Sequence, residues 1–382
     1  MHGDDAAATV GGQRLIGVEE ELLLINPRTL SPVPVALRIL GAAATPSDAT
    51  VVAPALVLES EVKQEQIEVV SPPLRTLDEV LESIVRGRRS ADDAARKVGA
   101  RAVAVATGVI AGAPHPVSTQ RYDEMKERFG VTFDEQLTCG FHVHVTIGSR
   151  DEGVAVLDRI RPWLPVLLAL SANSPFWNGR DTQFASYRYQ AWGRWPSAGP
   201  YELFGSQKGY DHVVEDLMRT GVPLDEGMIY FDARLSAHAP TVETRICDVC
   251  LRPDDAAALA VLIRGLVETA ARDWRTGVAA NPVSITLLRA ASWRASRFGT
   301  EASLVHPVTG RSTPAADVVA ALFDHVRDSL ADDGEAERVA AQLRRILERG
   351  NGSRIQRDTV ANAATGADIA RGVLGATHQP LG

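Results

Sequence analysis

Cysteine is scarce in this chain. Only Cys139, Cys247 and Cys250 occur in 382 residues, too few for a disulfide scaffold and in keeping with a reducing cytoplasm. Cys247 and Cys250 form one C-x-x-C with no second pair. On a strand they would face opposite sides, so ordinary buried thiols are expected rather than a zinc or redox site. Lysine is sparse beside arginine, and the formal net charge is −8, which argues against a sequence-independent grip on nucleic acid or anionic membrane. No positively charged start followed by an apolar stretch occupies Met1 to Gly12, so no signal peptide is expected. The apolar run Trp163 to Ala172 is too short to span a bilayer and contains Pro165. Neither G-x-G-x-x-G nor G-x-x-x-x-G-K-[ST] follows a strand pattern, which leaves a Rossmann domain and a P-loop without support.

What the chain does have is carboxylate and imidazole in four short extended-looking stretches. They are Gly17 to Glu21, Glu61 to Glu68, Cys139 to His144 and Thr241 to Arg245. Alternate residues of a strand share a face. Glu19 pairs in this way with Glu21, His142 with His144, and Glu243 with Arg245. Inward-facing carboxylates are costly to bury without a cation or proton. The pattern predicts a sheet lined with metal ligands, and a Glu-rich set with one or two His suits Mg²⁺ or Mn²⁺ better than structural zinc. Glu19, Glu21, Glu68 and Glu243 are the first candidates, with His142 completing the set. Glu61 ranks below them, because its odd separation from Glu68 would put it on the other face of a regular strand. His144 is a candidate for substrate or phosphate.

Strand patterns cover Arg14 to Ile25, Val62 to Val70, Arg101 to Ile110, Thr138 to Ile147, Met228 to Leu235 and Val242 to Val249. Helices are predicted over Asp151 to Ala172, Asp254 to Trp274, Ala315 to Leu330 and Glu335 to Arg349. One more begins at Thr76, where Glu79 makes a capping box and Leu77, Val80, Leu81, Ile84 and Val85 form one apolar face. Asn173 to Gly209 reads as a long functional loop. The mixture predicts an α+β fold, an antiparallel or mixed sheet with helices on one side. It is read as a flexible tail at 1–12, one catalytic domain at 13–367 and a weakly ordered tail at 368–382.

Arg188, Arg194, Arg245, Arg294, Arg297, Arg354 and Arg357 supply planar guanidiniums suited to carboxylate or phosphate. G-V-E-E-E-L at Gly17, C-G-F-H-V-H-V at Cys139 and A-N-S-P-F-W-N-G-R-D-T at Ala172 stand in order along the chain. A-S-Y-R at Ala185, T-V-E-T-R-I-C-D at Thr241 and N-G-S-R-I-Q-R at Asn351 follow them. On these motifs the chain resembles the type 2 glutamate–cysteine ligase family, bacterial ATP-dependent carboxylate–amine ligases.

The resemblance implies a glutamine-synthetase-like fold, a curved antiparallel sheet with metals on its concave face and helices outside. It implies ATP and Mg²⁺ (or Mn²⁺), small amino-acid and amine substrates, and a homo-oligomer. Glu19, Glu21, Glu61, Glu68, His142 and Glu243 then become metal ligands. Arg245 becomes a phosphate or acyl-phosphate contact, with Arg294, Arg297 and Arg354 as further nucleotide candidates. Arg188, His144, Arg194 and Trp195 fall to substrate. The chain departs from the usual pattern at Gln183-Phe184, where Gly and an aromatic are commoner; that loop is expected near the substrate pocket, with Phe184, Tyr187 and Trp192 contributing to specificity. Two other readings use the same residues: a metal-dependent amide hydrolase, and a catalytically silent sensor of ATP or an amino acid.

Overall fold

The computed structural model describes residues 12–43 and 56–379, so the expected tail at 1–12 lies, apart from Gly12, outside the described residues. The sheet strands are β1 (Ile16–Ile25), β2 (Val57–Ser60), β3 (Gln66–Val70), β4 (Arg101–Val103) and β5 (Phe141–Thr146). A separate two-residue hairpin, β6 (Phe176–Trp177) and β7 (Arg180–Asp181), precedes the last two, β8 (Ala233–Leu235) and β9 (Thr241–Thr244). The sheet order is β2-β3-β1-β5-β9-β8, with β4 beside the end of β1, and every pairing in it is antiparallel. The expected α+β class is the observed one.

Helices α1 (Ala36–Ala43), α2 (Leu77–Lys97), α3 (Gln120–Phe129), α4 (Val131–Asp134), α5 (Arg150–Ile160), α6 (Leu164–Ser171) and α7 (Tyr187–Trp192) come first. After them run α8 (Gln207–Arg219), α9 (Pro253–Arg275), α10 (Ile285–Phe298), α11 (Ala315–Asp332), α12 (Ala336–Arg349), α13 (Gly352–Asn362) and α14 (Gly366–His378). Among the described residues no helix is long and apolar enough to cross a membrane.

Helix α9 is the central support. Pro253 sits in its first turn with Asp254 and Asp255, and Arg272 and Arg275 close its last turn, so both ends suit the helix dipole. It is buried almost all round and packs on α2, α5, α11, α12, β1 and β5. Helix α2 begins at Thr76 with the expected capping box.

Alternation along β1 sends Glu20 to the helical side while Glu19 and Glu21 face the other way. Glu20 meets Arg88 of α2 in a two-pronged pair at 2.6 and 3.0 Å, and neither residue is more than 1% exposed. The remaining Arg88 protons go to the carbonyls of Cys250, Leu251 and Thr377 at 2.7, 2.9 and 3.0 Å. The guanidinium is therefore saturated, as a buried charge requires.

Four expectations need correction. The segment from Asp368, read as a weakly ordered tail, belongs to α14 as far as His378; Thr365 and Asp368 cap it, and Ala370, Val373 and Thr377 are buried. The run Arg101 to Ile110 is a strand only to Val103, because the chain then leaves the sheet to bond Asn173 and Cys139 from Ala106. The loop at 173–209 contains the β6–β7 hairpin and α7. Cys247 and Cys250 follow β9 rather than lying on a strand. All three cysteines are buried and free, and burial pushes the Cys247 thiol up to about 12, which leaves it inert.

Candidate active site

The strand register assembles the site. Glu21 lies opposite Glu68, Glu19 opposite His142, and His144 opposite Glu243. Four strands thus bring acidic and imidazole groups from positions 19 to 243 onto one face, the floor of a cavity of about 1160 Å³. His142 is the hinge of the arrangement. Its Nδ1 is 3.2 Å from Glu19 and its Nε2 is 3.8 Å from Glu21. Ligand atoms of Glu19, His142 and Glu243 lie within 4.8 Å of one another, and so do those of Glu21, Glu68 and His142. His144 Nε2 is 3.1 Å from Glu19, and its Nδ1 is 3.1 Å from the Thr241 hydroxyl.

The charges in this floor are strained in a way that suits cations. Burial raises Glu68 well above the usual carboxylate range, and the charges of Glu61, Glu19 and Glu21 add to it. Burial, then the charge of Glu21, pushes Glu61 up to about 7. Burial works against ionised Glu19 as well, but contacts with His142 and His144 outweigh it and hold that carboxyl far below its ordinary value. Glu243 also stays ionised against its burial, because Arg245 and Arg234 flank it. Arg234 donates to Glu243 at 2.7 Å, and Arg245 donates to its other oxygen. Burial, with the Arg245 charge, lowers His142 and favours the neutral imidazole that a metal needs. Oxygen-rich triads that repel one another and share a neutral imidazole fit hard divalent cations.

Most of the residues singled out from sequence meet here. Glu19, Glu21, Glu61, Glu68, His142, His144, Trp192, Trp195, Glu243 and Arg245 all line the cavity. Glu61 stands outside both triads. The strand argument that ranked it lower does not apply, since β2 ends at Ser60 and Glu61 occupies the bend before β3.

Several arginines do not line the cavity. Arg188 is buried against the carbonyls of Arg245 and Ile246, both at 3.3 Å, and lies 3.9 Å from Asp248. A Cβ at Gly140 would come within 2.4 Å of its guanidinium, so the glycine of C-G-F-H lets Arg188 press against the strand. That guanidinium braces the scaffold through these carbonyls, while its buried Nε has no hydrogen-bond partner. Arg194 pairs with Glu135, Arg294 with Ser303, Arg297 with Gln183 and Arg354 with Glu301. Residue type alone makes these four equivalent to Arg245, because sequence does not say where a long side chain points. Phe184 and Tyr187 also lie off the cavity; Phe184 packs on Tyr187 and Trp293. Gln183 has φ 63°, the left-handed region where glycine costs least, so a glycine there suits the backbone rather than the pocket.

The motifs around these arginines serve a buried hub. Asp248 accepts from the Asn173 N–H at 2.8 Å, the Ser174 hydroxyl at 2.7 Å and the Ser186 hydroxyl at 2.8 Å. Gln356 donates to Asn173 at 2.6 Å. Four of the six sequence motifs are joined there.

Nearby, Asp232 accepts from the Tyr189 hydroxyl at 3.2 Å, and its carbonyl takes the N–H groups of Arg245 and Ile246. Burial pushes its carboxyl up to about 7, against the pull of Tyr189 and Arg188. A raised carboxyl favours the folded state while protonated. Stability tied to it is intact below pH 4, falls as the unfolded chain ionises, and is fully lost above pH 7, at a cost of about 4 kcal/mol. Asp232→Asn should therefore stabilise the protein by about 3 kcal/mol more at pH 8 than at pH 5. Denaturant melts of both proteins at the two pH values test this, and an equal difference at both would contradict it.

Sequence reading passed over Lys63, Arg121, Gln136, Tyr230 and Arg234, which also line the cavity. Only Arg234 had a usable signal, its alternation with the flanking apolar Ala233 and Leu235.

A model of glutamate–cysteine ligase family 2 matches residues 15–375. A protein of Paenarthrobacter aurescens (strain TC1), provisionally named glutamate–cysteine ligase 2-1, is 50% identical over 367 residues, which are 96% of this chain and 95% of that protein. A Streptomyces coelicolor protein, provisionally named glutamate–cysteine ligase 2, is 46% identical over 352 residues, 92% of this chain and 96% of its own. The crystal structure of a Francisella tularensis glutamate–cysteine ligase in complex with AMP superposes with a TM-score of 0.64 at 14% identity, covering 96% of this chain and 89% of that one. A bifunctional glutathione synthetase from Pasteurella multocida gives 0.68 at 12% identity, covering 96% and 52%. At such identities these structures speak to fold alone, and the fold is the glutamine-synthetase-like one expected from the motifs. With a family model spanning nearly the whole sequence and relatives about half identical over their full length, the chain belongs to glutamate–cysteine ligase family 2, ATP-dependent ligases that form C–N bonds.

Proposed function

We propose that this protein joins the side-chain carboxylate of a glutamate-like acid to an amine through an acyl phosphate. The observation that supports it best is the pair of triads sharing His142 on the floor of one cavity, beside the Arg245 guanidinium. The acid's carboxylate attacks the γ-phosphate of ATP and releases ADP. The amine then attacks the acyl carbon, giving an amide and phosphate. Divalent ions, Mg²⁺ by preference, held by Glu19, Glu21, Glu68, His142 and Glu243 would supply positive charge against the phosphate oxygens. Arg245 adds a cation fixed by Glu243, so it needs no reorganisation as charge moves. Trp192 and Trp195 wall the cavity and limit water at the activated acid. Positioning and electrostatics suffice for phosphoryl transfer, so no side chain is required as a nucleophile. We place the protein in the cytoplasm, where its three free thiols stay reduced, and as a homo-oligomer.

The test is ADP release across acids and amines with Mg²⁺ and Mn²⁺ compared. Release that requires both co-substrates is the expected result. Amide hydrolysis without nucleotide would replace this reading with the hydrolase. Glu243→Gln should lower turnover by about two orders of magnitude or more, since it weakens one triad and frees Arg245. Near-normal turnover in that variant would remove Glu243 from the machinery.

A further inference from the structure

We infer that Lys63 is a substrate-binding residue that takes a second carboxylate of the reacting acid or amine, an inference that rests on the ligase reading above. Lys63 lines the cavity yet has 0% exposure, and its Nζ has no hydrogen-bond partner. It stands 4.0 Å over the Phe133 ring. The four arginines of the lining are already matched. Arg121 pairs with Asp225 at 2.6 Å, Arg150 with Asp211 at 2.7 Å, Arg234 with Glu243 at 2.7 Å, and Arg245 with Glu243 as well. Among the described residues no carboxylate closes an ion pair with Lys63. Burial lowers the Lys63 ammonium more than the nearby charges of Asp134 and Glu65 restore it. An ammonium withdrawn from water without a bonded counter-ion is costly, and a protein that keeps one beside a substrate cavity gains if the ligand brings an anion into direct contact.

The position is rigid. Gln64 N–H donates to the His115 carbonyl at 2.9 Å, Val117 N–H to the Val62 carbonyl at 2.9 Å, and Gln66 N–H to the Lys63 carbonyl at 3.1 Å. The bend that presents Glu61 to the acidic floor therefore presents Lys63 from the same fixed backbone. A substrate with one carboxylate reacting over that floor has any second carboxylate left to place. A negative group cannot be placed among Glu21, Glu61 and Glu68, and Lys63, two residues from Glu61, is the lining cation without a bonded partner.

The experiment compares wild type with Lys63→Met and Lys63→Arg. KM and kcat are measured separately for acid and amine, each with and without its non-reacting carboxylate; L-glutamate against 4-aminobutyrate serves for the acid. Lys63→Met should raise KM for one carboxylate-bearing substrate about 10- to 100-fold and leave kcat within a few-fold. The truncated substrate should no longer distinguish the two proteins, and Lys63→Arg should recover part of the loss. An effect on the acid alone puts Lys63 in the acid subsite, and one on the amine alone puts it in the amine subsite. Unchanged KM for both overturns the inference. Lys63→Met should also melt no lower than wild type, since it removes a buried charge, and this separates lost binding from lost folding. Calorimetry with L-glutamate and with the amine keeps the two readings apart. Binding lost in the variant supports Lys63 even if wild type turns over no pair, and equal binding overturns it even in an active ligase.

Discussion

His142→Ala should lower turnover by about three orders of magnitude and weaken the response to added Mg²⁺. One well-placed electrostatic group in an active site is worth roughly 10²- to 10³-fold, and His142 serves two triads at once. Its Nδ1 faces Glu19 and its Nε2 faces Glu21, so its loss opens both. The substitution should be tolerated by the fold, because the ring's neighbours are polar groups of the cavity floor rather than core side chains. Initial rates across a Mg²⁺ titration, with circular dichroism to establish folding, decide the matter. A variant that saturates at the wild-type Mg²⁺ concentration and keeps its rate would show that His142 does not hold the two halves of the site together.

The second large effect concerns stability. Glu20→Ala should cost about 3–5 kcal/mol, because it leaves Arg88 charged and buried without its partner. The three carbonyls that also hold Arg88 cannot neutralise it. Replacing both at once, Glu20→Leu with Arg88→Met, removes the orphan charge and should recover much of the loss. Urea midpoints for the two proteins give the comparison. If the double variant is less stable than the single one, the cost lies in lost packing and not in the stranded guanidinium.

The two predictions mark where sequence was informative. Strand alternation was enough to put Glu19 and Glu21 on one face and His142 with His144, because a period of two follows from the backbone itself. The order of the motifs pointed to the fold. What could not be read was which strand neighbours which: the pairing of Glu21 with Glu68 and of His144 with Glu243 joins residues 47 and 99 positions apart. Long side chains were the other limit. Arg188 and Arg245 looked alike in sequence, yet one braces backbone carbonyls and the other faces the cavity. Glu61 was ranked low by a rule for regular strands that stops applying one residue earlier. Lys63 gave no signal because its burial and its unbonded Nζ are visible only in the fold.

Three consecutive glutamates in β1 face opposite ways, two toward the cavity and one toward the helical backing. No loop or hinge separates the acidic floor from the beam that carries it. Any loosening of α2 therefore reaches Glu19 and Glu21 through single peptide bonds, so heat should disarm and dismantle the protein in one event. The same directness runs in reverse: occupancy of the floor would brace the far side of the sheet.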